Sequence, residues 1–241
     1  ITNIRDAIYK EYGEEDIRFS DFARQIDIYC QGGIYEEWFS GECEFSMEKD
    51  AMAVELKGVE NHPELRDPLV MLLLYHIGKV MYSTDTNKPK IQIIFDEAHR
   101  FLGKNPRMDD FIEQAYRRAR KFDGSIILAT QGFSDIYDSE GGLSRAGKTI
   151  IDNSAWKFFM NQQETSTNLL LSSEIFSFDD IDKKIIRKIR TQKREYSEIF
   201  CINSSNVKMS LRLLMPTFFY YLTTTDGTDK KLIASVMREH N

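Results

Sequence analysis

The chain has 241 residues, enough at roughly 150 residues per domain for one large domain with a smaller appendage. Its 41% hydrophobic content supports a sizeable core without disulfide or metal staples, and 29% charged residues with only 13 Gly and 5 Pro exclude a disordered or collagen-like chain. A net charge of −6 argues against wholesale wrapping of nucleic acid, while leaving room for a local basic patch. The longest near-continuous apolar run, Leu69 to Ile77, falls short of the roughly 20 residues of a membrane span. No signal-peptide pattern opens the sequence. Cys30, Cys43 and Cys201 form no CxxC pair and read as reduced, cytosolic thiols. His62, His76, His99 and His240 show no zinc-type spacing. A start at Ile1 rather than Met is what a fragment would show.

Residues 1–50 read as a small, polar, helical appendage. Ile4, Ile8 and Tyr12 share one helical face, and Phe19, Phe22, Ala23 and Ile26 another. Gly32, Gly33 and Gly41 interrupt the pattern around the aromatic loop Tyr35, Trp38 and Phe39. From residue 51 to 241 strands and helices alternate. Ala51 to Leu56 is expected as a buried strand, and Asp67-Pro68 as a helix start. The helix that follows, to about Tyr82, is apolar almost all round and is expected to pack on a sheet, with Ser83 to Lys88 polar and exposed.

Lys90 to Phe95 is the next predicted strand. Asn105-Pro106 opens a helix whose Met108, Phe111, Ile112, Ala115, Tyr116 and Ala119 fall on one face, and Asp123-Gly124 ends it. Ser125 to Thr130 and Trp156 to Met160 are further strands. Tyr196 to Ile202 and Val207 to Leu213 read as a hairpin, with Val207, Met209, Leu211 and Leu213 facing in. The fold class expected is α/β: a mostly parallel sheet flanked by helices, with an antiparallel C-terminal hairpin.

Chemistry concentrates at Ile91-Gln92-Ile93-Ile94-Phe95-Asp96-Glu97. An apolar strand ending in two acids suits a nucleotide hydrolase: the first carboxylate holds the waters of Mg²⁺ and the second polarises the attacking water. The plainer reading is acids at a helix N-terminus, where the macrodipole favours them. One strand–helix unit later stands Thr130-Gln131, whose amide can sense a γ-phosphate and orient water, or simply end a strand. Arg117 and Arg120 share a helix face. They read equally as a cationic last turn or as an arginine finger for a neighbouring subunit.

Gly142 to Thr149 satisfies GxxxxGK[ST] letter for letter. A working P-loop leaves a buried strand directly, whereas Asp138 to Gly141 here are polar and the match follows the acid pair. It is expected to be a loop feeding a helix around Ile150 and Ile151. The stretch Lys183–Arg194 is an amphipathic helix with a basic side, either solvated or docked to an acidic partner or a DNA strand.

In this order, the motifs resemble the C-terminal motor domain of TraC-like conjugation proteins, the large ATPases of type IV secretion systems. The resemblance runs through Gly33-Ile34-Tyr35, Trp38 to Gly41, Ala53 to Gly58, Leu72 to Ile77, Ile94 to Ala98, Ala119 to Gly124, Ala129-Thr130-Gln131, Asp152 to Ala155 and Arg194 to Phe200. It implies a RecA-like ATPase core over 51–241, preceded by the end of an all-helical subdomain. It also implies ATP and Mg²⁺ as ligands, and a homo-hexamer peripheral to the cytoplasmic face of the inner membrane, meeting other secretion components. Asp96 becomes the Mg²⁺-associated acid, Glu97 the base, Gln131 the γ-phosphate sensor, and Arg120, before Arg117, the trans arginine. The family's P-loop lies upstream of the helical subdomain, so this chain is expected to lack it and to be inactive alone. Two other readings remain: a DNA-pumping translocase of the same superfamily, and a catalytically silent docking module. Asp96-Glu97-Ala98-His99 also resembles helicases, but Ala129-Thr130-Gln131 stands where their Ser-Ala-Thr would be.

Overall fold

A computed structural model describes residues 1–12, 16–41, 50–83, 90–100, 102–103, 106–138 and 141–239. Cys43, His240, the Asn105 cap, the polar segment 84–88 and Ser139-Glu140 lie outside the described residues. The chain divides into two compact units, Ile1–Ser83 and Thr84–Asn241. The change in composition near residue 50 thus falls inside the first unit.

The first unit is helical: α1 (Thr2–Tyr12), α2 (Ile17–Ile26), α3 (Glu36–Phe39) and α4 (Pro63–Met81). Asp16 caps α2 by accepting the Arg18 N–H at 2.9 Å. The core gathers Tyr35, Val59 and Leu65, with Ile28, Tyr29, Phe39, Leu56 and Leu69 packed on it. Gly33 is required for close approach, because a Cβ there would lie 2.3 Å from the Asp27 carbonyl oxygen. Two sequence expectations are corrected in this unit. Residues 51–56 form no strand; all but Leu56 are exposed, so the apolar run is never buried. The helix starts at Pro63 rather than at Asp67-Pro68, and Pro68 sits within it. An internal proline strips the carbonyl four residues back of its donor. That carbonyl belongs to Glu64, and the Tyr29 hydroxyl donates to it at 2.5 Å. The Tyr35 hydroxyl donates to the Glu64 carboxylate, also at 2.5 Å, and this contact pushes the Tyr35 pKa up to about 12. No strand is described in the unit for α4 to pack on, and Leu72 and Tyr75 remain exposed.

The second unit runs β1 (Gln92–Phe95), α5 (Pro106–Arg118), β2 (Ser125–Leu128), α6 (Arg145–Asn153), β3 (Trp156–Phe159), α7 (Glu164–Ser172), α8 (Asp180–Lys188), β4 (Thr191–Gln192), β5 (Tyr196–Asn203), β6 (Lys208–Leu213), α9 (Thr217–Thr223) and α10 (Gly227–Glu239). Its class is α/β. β1 and β2 are parallel, registered from Gln92↔Ser125 to Phe95↔Leu128, with the α5 crossover between them. Met108, Ile112 and Ala115 are the buried face of α5, and Asp123 in the left-handed conformation closes the turn after it.

The expected mostly parallel sheet is corrected: among the described residues the parallel part is two strands, and the larger sheet is antiparallel. β5 is its hub, pairing with β3, β4 and β6. It alone has the length and the buried run, Phe200-Cys201-Ile202, to organise several neighbours. Cys30 and Cys201 are free and buried. β6 alternates in sequence, but Val207, Leu211 and Leu213 are exposed rather than turned inward.

One carboxylate ties the C-terminal helices to this sheet. Asp229 is fully buried and accepts from Arg194, in the turn before β5, and from the Tyr220 hydroxyl at 2.8 Å. Lys193, in the same turn, pairs with Asp226 at 2.8 Å. The Arg194 bond holds Asp229 below the ordinary carboxylate range, and Lys193 brings Asp226 down to about 2. A carboxylate with a lowered folded-state pKa stabilises above its unfolded value, about 3.9, and loses that contribution as pH falls through the folded value. Hydrogen exchange in α10 should therefore accelerate between pH ~4 and ~2 before β5 is affected. Uniform protection of α10 across that range would show that the two acids do not hold it.

Candidate functional site

The C-terminal ends of two parallel strands are where an open α/β fold presents its ligand-binding loops. Here the pairing continues beyond the strands. The Ala129 N–H donates to the Phe95 carbonyl at 2.9 Å, and the Ala98 N–H donates to the Ala129 carbonyl at 2.9 Å. Between Phe95 and Ala98 the chain makes a tight reversal, with Glu97 left-handed at φ 50°. That conformation is costly for a residue with a Cβ, by an order of 1–3 kcal/mol. The Asp96 carboxylate stabilises the reversal by accepting the Glu97 N–H at 2.9 Å.

Asp96 is exposed and Glu97 half-buried. Glu97 pairs with Arg100, three residues on, at 2.6 Å. On the neighbouring strand Gln131 is exposed, while its N–H and that of Gly132 both donate to Asp135 at 3.0 and 3.1 Å. The Thr130 hydroxyl donates to the Gly132 carbonyl at 3.2 Å. Asp96, Glu97 and Gln131 therefore stand at one end of one strand pair, each with its backbone fixed and its side chain near solvent. Arg100 and Asp135 were not read from the sequence. The available signals were a cation three residues after Glu97, and an Asp four residues after Gln131 able to fold back on the loop.

The two arginines part company. Arg117 is engaged, lying 3.6 Å from Glu113 and 3.4 Å from the Thr149 hydroxyl. Arg120, in the turn after α5, is exposed and has no ion pair or hydrogen bond among the described residues. Its neighbours Arg118 and Lys121 both lie over the Phe122 ring. Glu113 itself is buried, and Arg145 at the start of α6 bridges it to Asp110.

Gly142 to Thr149 does not form a cradle. A phosphate loop aims free N–H groups at its ligand. In this loop the Gly142 N–H donates to the Asp138 carboxylate at 3.1 Å, the Gly147 N–H to its own cap Ser144 at 2.9 Å, and the Lys148 N–H to the Ser144 carbonyl. Gly147 is small for packing: a Cβ would lie 2.3 Å from the Ile136 carbonyl oxygen. Thr149 is buried against Arg117 and Lys148 is exposed.

No group of three or more His, Cys, Asp or Glu among the described residues is placed to hold a metal ion directly. The exposed Asp96 fits instead a hydrated Mg²⁺, which keeps several of its waters and needs only one or two carboxylates. A triphosphate finds no matching set of free amides in the Gly142–Thr149 loop.

The chain belongs to the TraG P-loop domain family, matched over residues 5–241. It is 28% identical over 227 residues to Protein TraC of Escherichia coli (strain K12), covering 92% of this chain and 25% of that protein. The likeness to TraC read from the motifs is thus borne out. Its fold is similar to that of VirB4 of Thermoanaerobacter pseudethanolicus, with a TM-score of 0.66 at 14% identity, over 90% of this chain and 55% of that one. The chain spans about a quarter of the length of the first relative and about half of the second. No described helix is long and apolar enough to cross a membrane.

The loop geometry makes opposite predictions for adjacent residues. Gly147→Ala should cost about 1–3 kcal/mol of stability in denaturant unfolding, as overpacking does. Lys148→Ala should leave stability unchanged, and should leave any nucleotide affinity of the intact protein unchanged. Loss of nucleotide binding on Lys148→Ala would reinstate this loop as a phosphate site.

Proposed function

We propose that this segment is the hydrolytic half of a RecA-like ATPase motor serving type IV secretion and conjugation. The observation that carries the reading is the placement of Asp96, Glu97 and Gln131 at one end of the β1–β2 pair. Asp96 holds the water shell of Mg²⁺, which when bound neutralises charge on the phosphates. Glu97 leaves Arg100 to take a proton from the attacking water, and Gln131 orients that water against the γ-phosphate. The phosphate cradle comes from outside this segment. Supporting that assignment, the Gly142, Ser144, Gly147 and Lys148 amides are engaged, and Ile94 and Ile127, in register on the parallel pair, are 61% and 46% exposed. Parallel strands are ordinarily covered on both faces. Alone, the segment binds Mg-ATP weakly and turns none over.

The working assembly in this reading is a homo-hexamer, cytoplasmic and peripheral at the inner membrane beside other secretion components, and the power goes to pilus assembly. A DNA-pumping translocase of the same superfamily would instead show hydrolysis stimulated by DNA.

The test uses the intact protein. Glu97→Gln preserves shape and removes the base, so ATP should bind normally while hydrolysis falls by about 10²–10⁴. Unchanged turnover would reduce Glu97 to a residue that shapes the reversal after β1.

Arg120 is the trans arginine of this proposal, being exposed and uncommitted where Arg117 is engaged. Arginine fingers contribute roughly 10³–10⁵ in turnover, and Lys lacks the planar fork, so Arg120→Lys should fail as Arg120→Ala does. Mixing Glu97→Gln subunits with Arg120→Ala subunits should restore activity at interfaces joining a sound Glu97 to a donated Arg120. Mixed oligomers that stay inactive would place Arg120 in cis.

A further inference from the structure

The charge of this chain is divided unevenly between its two units. Residues 1–83 carry 17 Asp and Glu against 8 Lys and Arg, whereas residues 84–241 carry 21 against 24. Within the second unit, α8 concentrates the excess. Its buried side is Asp182 and Ile186, followed by Ile189; Asp182 takes Lys208 at 2.5 Å and reciprocates the cap with Asp179. Lys183, Lys184, Arg187 and Lys188 then fall on the opposite side by helical spacing. Arg187 donates to Asn168 at 2.9 Å. Lys183, Lys184 and Lys188 are exposed, and their side chains have no hydrogen-bond or ion-pair partner among the described residues. Farther along the same basic stretch, Arg190, Lys193 and Arg194 are committed to Tyr196, Asp226 and Asp229. The three lysines of α8 are what that stretch leaves over.

We propose that this lysine face of α8 receives the acidic first unit of a second copy of the chain. The inference rests on the homo-hexamer proposed above, taken as a ring, and names a contact for it. Charge complementarity selects the occupant. The first unit offers Glu11, Glu37 and Asp50, all exposed and without a partner among the described residues. Two different surfaces meet in such a contact, so it is heterologous and repeats from copy to copy, closing into a ring where the rotation permits. Nucleic acid is the less suited occupant: α8 presents Ile181 beside its lysines and no exposed aromatic for a base to stack on.

The test is self-association of the 241-residue chain by sedimentation, at low salt and at ~0.15 M, where the Debye length is about 8 Å. Association should weaken with salt. Reversing Lys183, Lys184 and Lys188 to Glu should raise its Kd by about tenfold or more, as several weak exposed pairs become repulsions. Reversing Glu11, Glu37 and Asp50 to Lys should do the same, and combining the two sets should restore association. The neutral Lys→Gln set, with circular dichroism unchanged, should give an intermediate loss. Association indifferent to both reversals would overturn this contact while leaving a ring built through other surfaces. A chain monomeric at every concentration and salt would overturn it too, and the ring reading would then be judged by nucleotide-dependent assembly of the parent protein. Single-stranded DNA binding lost on lysine reversal, with self-association untouched, would assign α8 to nucleic acid instead.

Discussion

The hydrogen bonds from the Ala129 N–H to the Phe95 carbonyl and from the Ala98 N–H to the Ala129 carbonyl carry the bonding of β1 to β2 past their last paired residues, with one extra residue on the β1 side. Everything at the candidate site hangs on that extension. It obliges the chain to reverse between Phe95 and Ala98, which puts Glu97 in a left-handed conformation and turns its N–H onto Asp96. It also fixes where β2 gives out, so that Thr130 and Gln131 begin their loop beside the acids. Asp135 then secures the loop by taking two consecutive N–H groups. Residues separated by more than thirty positions are in this way brought to one end of the strand pair by backbone bonds, with Asp96 and Gln131 left exposed there.

Strand β1 and the acids at its tip were legible because the signal is local: an unbroken apolar run, then two carboxylates. The same holds for α5, whose 3–4 spacing survives as Met108, Ile112 and Ala115 in the core. What failed was pairing. The sequence of β3 looks like one more strand of an alternating α/β series, yet its partner is β5, some forty residues on and antiparallel. Nothing in Trp156 to Phe159 announces which edge it will join. Alternation misled in β6 for a related reason, since a period of two says which residues share a face but not whether anything covers it.

The start of α4 shows how a tertiary contact can cancel a local rule. Asp67-Pro68 is a sound helix opening by cap and proline chemistry. The penalty for continuing through Pro68 is one orphaned carbonyl, on Glu64. Tyr29, far away in sequence, supplies the missing donor with its hydroxyl. Reading the sequence in windows cannot find a donor 35 residues upstream, so the helix was begun one turn too late.

The Gly142–Thr149 segment carries the same lesson in reverse. A pattern of eight residues was matched in full, and three of its four fixed residues have another occupation. Gly142 answers to Asp138, Gly147 to the Ile136 carbonyl, and Thr149 to Arg117. Between them Arg145, a position the pattern leaves free, does the most for the fold, since it bridges Asp110 and the buried Glu113 and so locks α6 onto α5. Removing Arg145 would take the closer of two cations from the buried Glu113 and leave Arg117, at 3.6 Å. The segment is thus constrained by charge burial at Arg145 and by backbone contact at Gly147. Phosphate binding would require the Gly142, Gly147 and Lys148 amides to be released from Asp138 and Ser144, so a match of letters without its strand and helix context does not by itself make a cradle.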